Sequence, residues 1–338
     1  MNLATWHWHI EISSKCTLKC LRCARTEVPD SLINTELKLE FFKQNFTPEF
    51  IQKHVEKITF CGDDGDPIYA HDLIDVIRYF KSIKPIRFVL VTNGSYKSPD
   101  WWNEIGKVLD SDDQIHFSLD GWDQSSNEQY RVNSDWASIV KGISALRASS
   151  QVYMIWDAIA FEFNQEKLDY MQELAQSMQF DEFQLTKSTK FNKIYKVYPD
   201  NDPLQPRDEL ISNSHRFQRI ITNLSGRIKS SIDQEISLDL YNKAKTFNDI
   251  LPLCSIGNKG LFINSQGHFF PCCWVANRYS HNNSWIELSK NNFNLHEIPL
   301  FSVINHAHWD NSEEIFSAPE CKAKCNISVV DQQYATEW

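Results

Sequence analysis

Glycine and proline are scarce in this chain, 10 and 12 of 338 residues, which excludes collagen-like repeats and a largely disordered chain. Long apolar runs are missing as well. Stretches such as Phe88 to Val91 fall far short of the roughly 20 residues that a membrane helix needs. The opening residues carry neither the basic nor the apolar segment of a secretion signal, so no membrane partner and a cytoplasmic location are expected. Positive charge is in deficit: 34 Lys and Arg against 44 Asp and Glu give a formal charge of -10. That field repels polyanions, so nucleic acid is not an expected partner. Cysteine is absent between Cys61 and Cys254, yet the chain holds 9 of them. Three stand at Cys16, Cys20 and Cys23, one at Cys61, and five at Cys254, Cys272, Cys273, Cys321 and Cys325. An odd count in a reducing compartment does not make a disulfide framework, so metal or redox chemistry has to account for them. The gap predicts two separate metal sites.

At 42% apolar residues the chain can form one large or two ordinary domains. Alternating or β-rich runs predict strands at Trp6 to Ile12, Lys57 to Cys61, Ile86 to Thr92, Gln114 to Leu119, Val152 to Phe161 and Glu182 to Thr186. Between them, apolar residues spaced by three and four predict helices, among them Leu39 to Gln52, His71 to Ser82, Ala137 to Ala148 and Gln165 to Met178. Strands alternating with helices mark an α/β fold with a parallel sheet, which right-handed crossovers curl into a full or partial barrel. The expected organisation is a partial (β/α)6 TIM-like barrel over 1–190, a linker or surface excursion over 191–235, and a small cysteine-rich domain over 236–338. That last region opens on a hairpin signal, GLFINSQGHFFPC, with its turn at Asn264 to Gly267.

The segment KCTLKCLRC follows directly on the first strand, at the barrel end where active sites of such folds sit. Three thiolates this close can hold three corners of an iron-sulfur cube and leave the fourth iron open for chemistry. A zinc knob completed by His7 or His9 is the alternative use of the same cysteines. In its Cys-x3-Cys-x2-Cys spacing after strand one, the chain resembles the radical S-adenosylmethionine enzymes. The resemblance implies that Cys16, Cys20 and Cys23 ligate a catalytic 4Fe-4S cluster whose open iron is chelated by S-adenosylmethionine. It further implies reductive cleavage of that cofactor to a 5'-deoxyadenosyl radical, with electrons from a donor such as flavodoxin or ferredoxin.

Secondary motifs of the family then follow at strand ends. FCGDDGDP resembles the segment that holds the cofactor's amino group, with Gly62, Gly65, Asp66 and Pro67 as the matching positions and Asp66 where Glu is usual. Asn93 follows strand three; Ser118 and Asp120 end strand four, where the family reads ribose hydroxyls. Arg131 resembles an arginine that grips the methionyl carboxylate. The chain departs from the pattern at Thr17 and Arg22, where Asn and an aromatic or apolar residue are common, and the Arg22 guanidinium has the chemistry to stack on adenine or hold an anion. Cys61 reads as a buried structural thiol.

Cys254 and Cys272 flank the hairpin, and Cys321 and Cys325 close a CKAKC pair; four such thiolates can fully ligate a second 4Fe-4S cluster, with a structural zinc ribbon as the alternative. Adjacent strand residues face opposite ways, so one of Cys272 and Cys273 is the ligand. The layout resembles the shortened SPASM domain called twitch. Trp6, Trp8 and Trp156 are expected on barrel strands where they can line a pocket, and Asp157, Glu162, Gln184 and Lys187 are candidate substrate contacts. The function that these features suggest is a radical S-adenosylmethionine oxidoreductase. It abstracts a hydrogen atom from a small polar substrate and passes the second electron to the auxiliary cluster. Peptide modification is the rival reading, opposed by the early position of Cys16, which leaves no preceding peptide-recognition domain. A non-catalytic iron-sulfur or zinc-binding regulator is the alternative from another class.

Overall fold

A computed structural model describes residues 6–187, 202–207, 219–227, 261–276, 284–306 and 321. Among the described residues nine strands, numbered in chain order, form one mostly parallel sheet in the order β7-β6-β5-β4-β3-β2-β1-β8-β9. The six strands expected from periodicity are β1 (Trp6–Ile10), β2 (Val55–Phe60), β3 (Arg87–Thr92), β4 (Gln114–Ser118), β5 (Tyr153–Ala160) and β6 (Glu182–Lys187). By contacts the chain divides into two units: Met1–Lys15 with Ile33–Phe88 and Ser230–Trp338, and Cys16–Leu32 with Val89–Lys229. Among the described residues no helix is long and apolar enough to cross a membrane.

In the first unit, β1 pairs in parallel with β2, His9 opposite Thr59, and on its other side with β8 (Leu261–Ile263). The hairpin read from the sequence is therefore built onto the strand sheet itself. Strand β9 (Phe269–Phe270) runs antiparallel to β8, and Gly267 supplies the positive φ of 77° that the turn between them requires. The helix expected over Leu39 to Gln52 is two helices, α1 (Leu39–Asn45) and α2 (Pro48–His54). Pro48 lacks an N–H to continue the first ladder but suits a first helical position, and the Thr47 hydroxyl caps the new start by accepting from Phe50 N–H. Much of the phenylalanine is consumed here. Phe42, Phe46, Phe60, Phe80 and Phe88 form one buried aromatic cluster, with ring centroids 5.4 to 6.3 Å apart. Trp8 joins it edge-on against Phe46 and Phe50 and donates to His54 O, so it fills core and lines no pocket.

In the second unit the two faces of the sheet differ in chemistry. Phe117, Trp156 and Phe183 turn toward the helical layer: Phe117 meets Trp102 of α3 (Pro99–Gly106), and Trp156 meets Trp136 of α4 (Trp136–Ser149). Trp156 is therefore also core. Because side chains alternate along a strand, Gln114, His116, Ser118, Asp157 and Gln184 share the other face, where Ser118 pairs with Asp157 and Asp157 with Gln184. Within the stretch read as a linker, β7 (Arg219–Asn223) adds an antiparallel strand beside β6.

Candidate functional site

The three-cysteine loop is tied to a second segment of its own unit. Lys19 and Leu21 donate backbone N–H groups to the carbonyls of Val132 and Tyr130, and the Asn133 amide donates to Thr17 O. This pairing turns all three cysteines toward one apolar cluster. Leu18, Cys20, Tyr130, Phe161 and Leu204 form it, and Cys16 and Cys23 pack against its edge. Cys23 stands at the N-cap of the short helix Ala24–Glu27.

Two donors point at the Cys16 sulfur: Leu18 N–H at 3.4 Å and the Asn93 side-chain amide at 3.7 Å. Donors of this kind stabilise a metal-bound thiolate. Burial pushes the Cys20 thiol up to about 11, opposed by the nearby Arg131 charge, so at neutral pH this sulfur stays protonated unless a metal replaces the proton. Among the described residues no three His, Cys, Asp or Glu side chains converge as ligands of a single ion do. An iron-sulfur cube instead takes each thiolate at a different iron. Three soft thiols around a common apolar floor, with N–H donors aimed at one of them, fit that group. His7 and His9 are committed elsewhere, to the Thr59 hydroxyl and the Cys61 carbonyl at 2.8 Å each.

Of the polar residues expected around the cofactor, Asn93, Asp120 and Arg131 come together with this loop. Asp120 is fully buried; it accepts from Arg131 Nε at 2.6 Å and from Ile159 N–H at 2.7 Å. Its carboxylate keeps Arg131 charged although burial favours losing that proton. In this structure Asp120 thus orients Arg131, which acts in turn on Cys20. Ser118 is half-buried at the end of β4, facing the same way as Asp157. Arg22 is held by an ion pair with Asp202 at 2.6 Å. His116 went unremarked in the sequence. Its Nδ1 lies 2.5 Å from Asp157 Oδ2 on the polar face of β4 and β5, and only strand register reveals the pair.

The loop after β2 belongs to the first unit. Asp66 is buried and caps the turn Pro67–Tyr69 by accepting from Ile68 N–H at 3.2 Å, while its own N–H donates to Lys15 O at 3.0 Å. A Cβ on Gly65 would stand 2.0 Å from Ser13 O, so this glycine is required by close approach to the chain just before Cys16. Gly65→Ala is accordingly expected to cost about 2 to 4 kcal/mol, measured by urea denaturation, because backbone on both sides must move. Cys61 is half-buried rather than fully enclosed. In the C-terminal region, Cys272, Cys273 and Cys321 are half-buried. Strand β9 ends at Phe270 and Cys273 opens the 3-10 turn Cys273–Ala276, so strand alternation does not choose between Cys272 and Cys273. Cys254 and Cys325 lie outside the described residues.

No protein-family model matches the sequence, and no curated protein matches it. Solved structures do resemble the chain. Streptococcus suis SuiB bound to S-adenosylmethionine superposes with a TM-score of 0.54 at 12% identity, covering 99% of this chain and 76% of that one. Native anSMEcpe with bound AdoMet and a Cp18Cys peptide gives 0.56 at 14% identity, covering 98% and 92%. A third, SuiB bound to its precursor peptide SuiA, gives 0.54 at 11%, covering 99% and 74%. At these identities the likeness is one of fold: the chain has a mixed α/β, mostly parallel sheet consistent with a partial TIM-like barrel, as in radical S-adenosylmethionine enzymes.

Proposed function

We propose that this protein is a radical S-adenosylmethionine enzyme that uses an iron-sulfur cluster held by Cys16, Cys20 and Cys23. The observation that carries the reading is the three-cysteine loop itself, packed on one apolar cluster with the Leu18 N–H and the Asn93 amide aimed at the Cys16 sulfur. When bound, a 4Fe-4S cluster with S-adenosylmethionine supplies the electron and the carbon radical that removes a substrate hydrogen atom. The chain's own part is to hold and shield. The Leu18, Tyr130 and Phe161 side chains enclose Cys20 and pack against Cys16 and Cys23, while Asp120 orients Arg131 so that its charge lies near Cys20. The proposed cofactor contacts are Asn93, Ser118, Asp120 and Arg131 and, on the resemblance of their segment, Gly62, Gly65, Asp66 and Pro67. The proposed domain roles are the barrel over 1–190, the excursion over 191–235 and an auxiliary twitch-like domain over 236–338, in which Cys254, Cys272, Cys321 and Cys325 take a second cluster.

A small polar substrate oxidised by two electrons is the leading reading. It is supported by the polar face of Gln114, His116, Ser118, Asp157 and Gln184. A peptide substrate is the second reading, favoured by the peptides bound to SuiB and anSMEcpe. The test of the whole is metal and turnover. Anaerobically reconstituted protein should hold about eight irons and eight sulfides, and with dithionite it should release 5'-deoxyadenosine from S-adenosylmethionine. Substituting Cys254 and Cys321 by Ala should remove about four irons and spare the other four. Stoichiometric zinc, or reconstituted protein that leaves S-adenosylmethionine intact, would sink the proposal.

A further inference from the structure

Glu11 lies just past β1 and is 3% exposed. Its Oε1 accepts from the N–H groups of Asp64 at 2.7 Å and Gly65 at 3.2 Å, and its Oε2 from the N–H of Ser265 at 3.3 Å, in the turn between β8 and β9. Gly62 closes the remaining side, where a Cβ would stand 2.8 Å from Oε1. One carboxylate therefore joins the end of β1, the loop after β2 and the C-terminal hairpin, all within the first unit. Burying such a group is unfavourable unless its hydrogen bonds are made, and here they hold the loop whose sequence resembles a cofactor-binding segment.

We propose that Glu11 is the positioning residue of the loop from Cys61 to Pro67, a latch whose closing takes up a proton, so that the loop loosens as pH rises toward neutrality. Its part in holding S-adenosylmethionine rests on the function proposed above; the latch does not. Among the described residues, the charge that acts on Glu11 is the carboxylate of Asp64, on the loop. Asp63 and Asp66 share that loop, Asp66 turned to Ile68 N–H; His9 precedes Glu11 with its ring on the Cys61 carbonyl, and the hairpin offers the uncharged Ser265. Burial first, and Asp64 second, raise the Glu11 carboxyl from 4.5 to about 7. A proton on Oε2 leaves both bonds at Oε1 in place, whereas an ionised Glu11 gains by reaching water. Opening the loop returns the group to its ordinary value and releases the proton. The closed loop is therefore fully favoured below about pH 4.5, loses ground up to about pH 7 and levels off above it.

Hydrogen exchange of the peptide spanning residues 61–67, measured on the full chain and corrected for the intrinsic rate, tests this. Protection in the wild type should fall by about tenfold or more between pH 5 and pH 8. Glu11→Gln keeps Oε1 but does not ionise, so its loop should stay protected with no such fall. Glu11→Ala should be unprotected throughout. A Glu11→Gln variant that follows the wild-type pH dependence, or a Glu11→Ala variant as protected as wild type, overturns the latch. If Glu11→Ala does not fold, the pH response of Glu11→Gln decides alone. Calorimetry with S-adenosylmethionine adds the second arm: wild-type affinity should be weaker at pH 8 than at pH 5, and that of Glu11→Gln equal at both. Should the cofactor bind no form of the protein while exchange follows the expected pattern, the latch stands and the proposed ligand of the loop falls.

Discussion

Cys20→Ala should reduce dithionite-dependent release of 5'-deoxyadenosine to background while leaving the protein folded. Cys20 is the most buried of the three loop cysteines, at 9% exposure, and the one set among Leu18, Tyr130, Phe161 and Leu204. Alanine there leaves an apolar pocket apolar, so the stability cost is that of one small cavity, about 1 kcal/mol. The functional cost is total, because a cube held by two thiolates has two irons without protein ligands and is not kept. Iron analysis should find about four irons fewer than in the wild type. Circular dichroism should match that of the wild type. Cofactor cleavage at the wild-type rate by this variant would remove the loop from the chemistry, and with it the proposed function.

Asp120→Ala should be the most destabilising single substitution near the site, by about 3 to 5 kcal/mol in urea denaturation. Asp120 is fully buried and receives Arg131 Nε and Ile159 N–H, while the Asn164 amide donates to its main-chain carbonyl at 2.8 Å. Removing the carboxylate leaves a buried guanidinium uncompensated and a backbone donor unpaired. The double variant Asp120→Ala with Arg131→Met separates the charge from the packing, since it withdraws both members of the pair. It should recover about half of the loss. If Asp120→Ala is as stable as wild type, the ion pair does not organise the segment that carries Tyr130 to Asn133, and another contact must hold the cysteine loop in place.

The rhythm of strands and helices was legible because burial on a sheet face and on a helix stripe imposes different periods on the same apolar residues, and all six barrel strands match within a few residues. The cysteine loop was legible for a related reason: three cysteines on one short segment leave their spacing in the sequence. What the sequence did not contain was the partner of each polar side chain. From the sequence Trp8 and Trp156 are expected on barrel strands where they can line a pocket, and only the rings packed against them assign them to core. Asp66 and Asp120 carry the residue types of ligand contacts, and only the structure shows that one also caps a turn and the other also orients Arg131. The glycines of the loop after β2 answer to the backbone at Ser13 and to Glu11, through contacts that span some 50 residues. Strand β8, beside β1, lies some 250 residues further along the chain. Local periodicity and spacing are imposed by a residue's immediate neighbours and so are written in order along the chain. Register, ion pairs and the pairing of distant strands depend on which segments meet, and only the tertiary structure decides that.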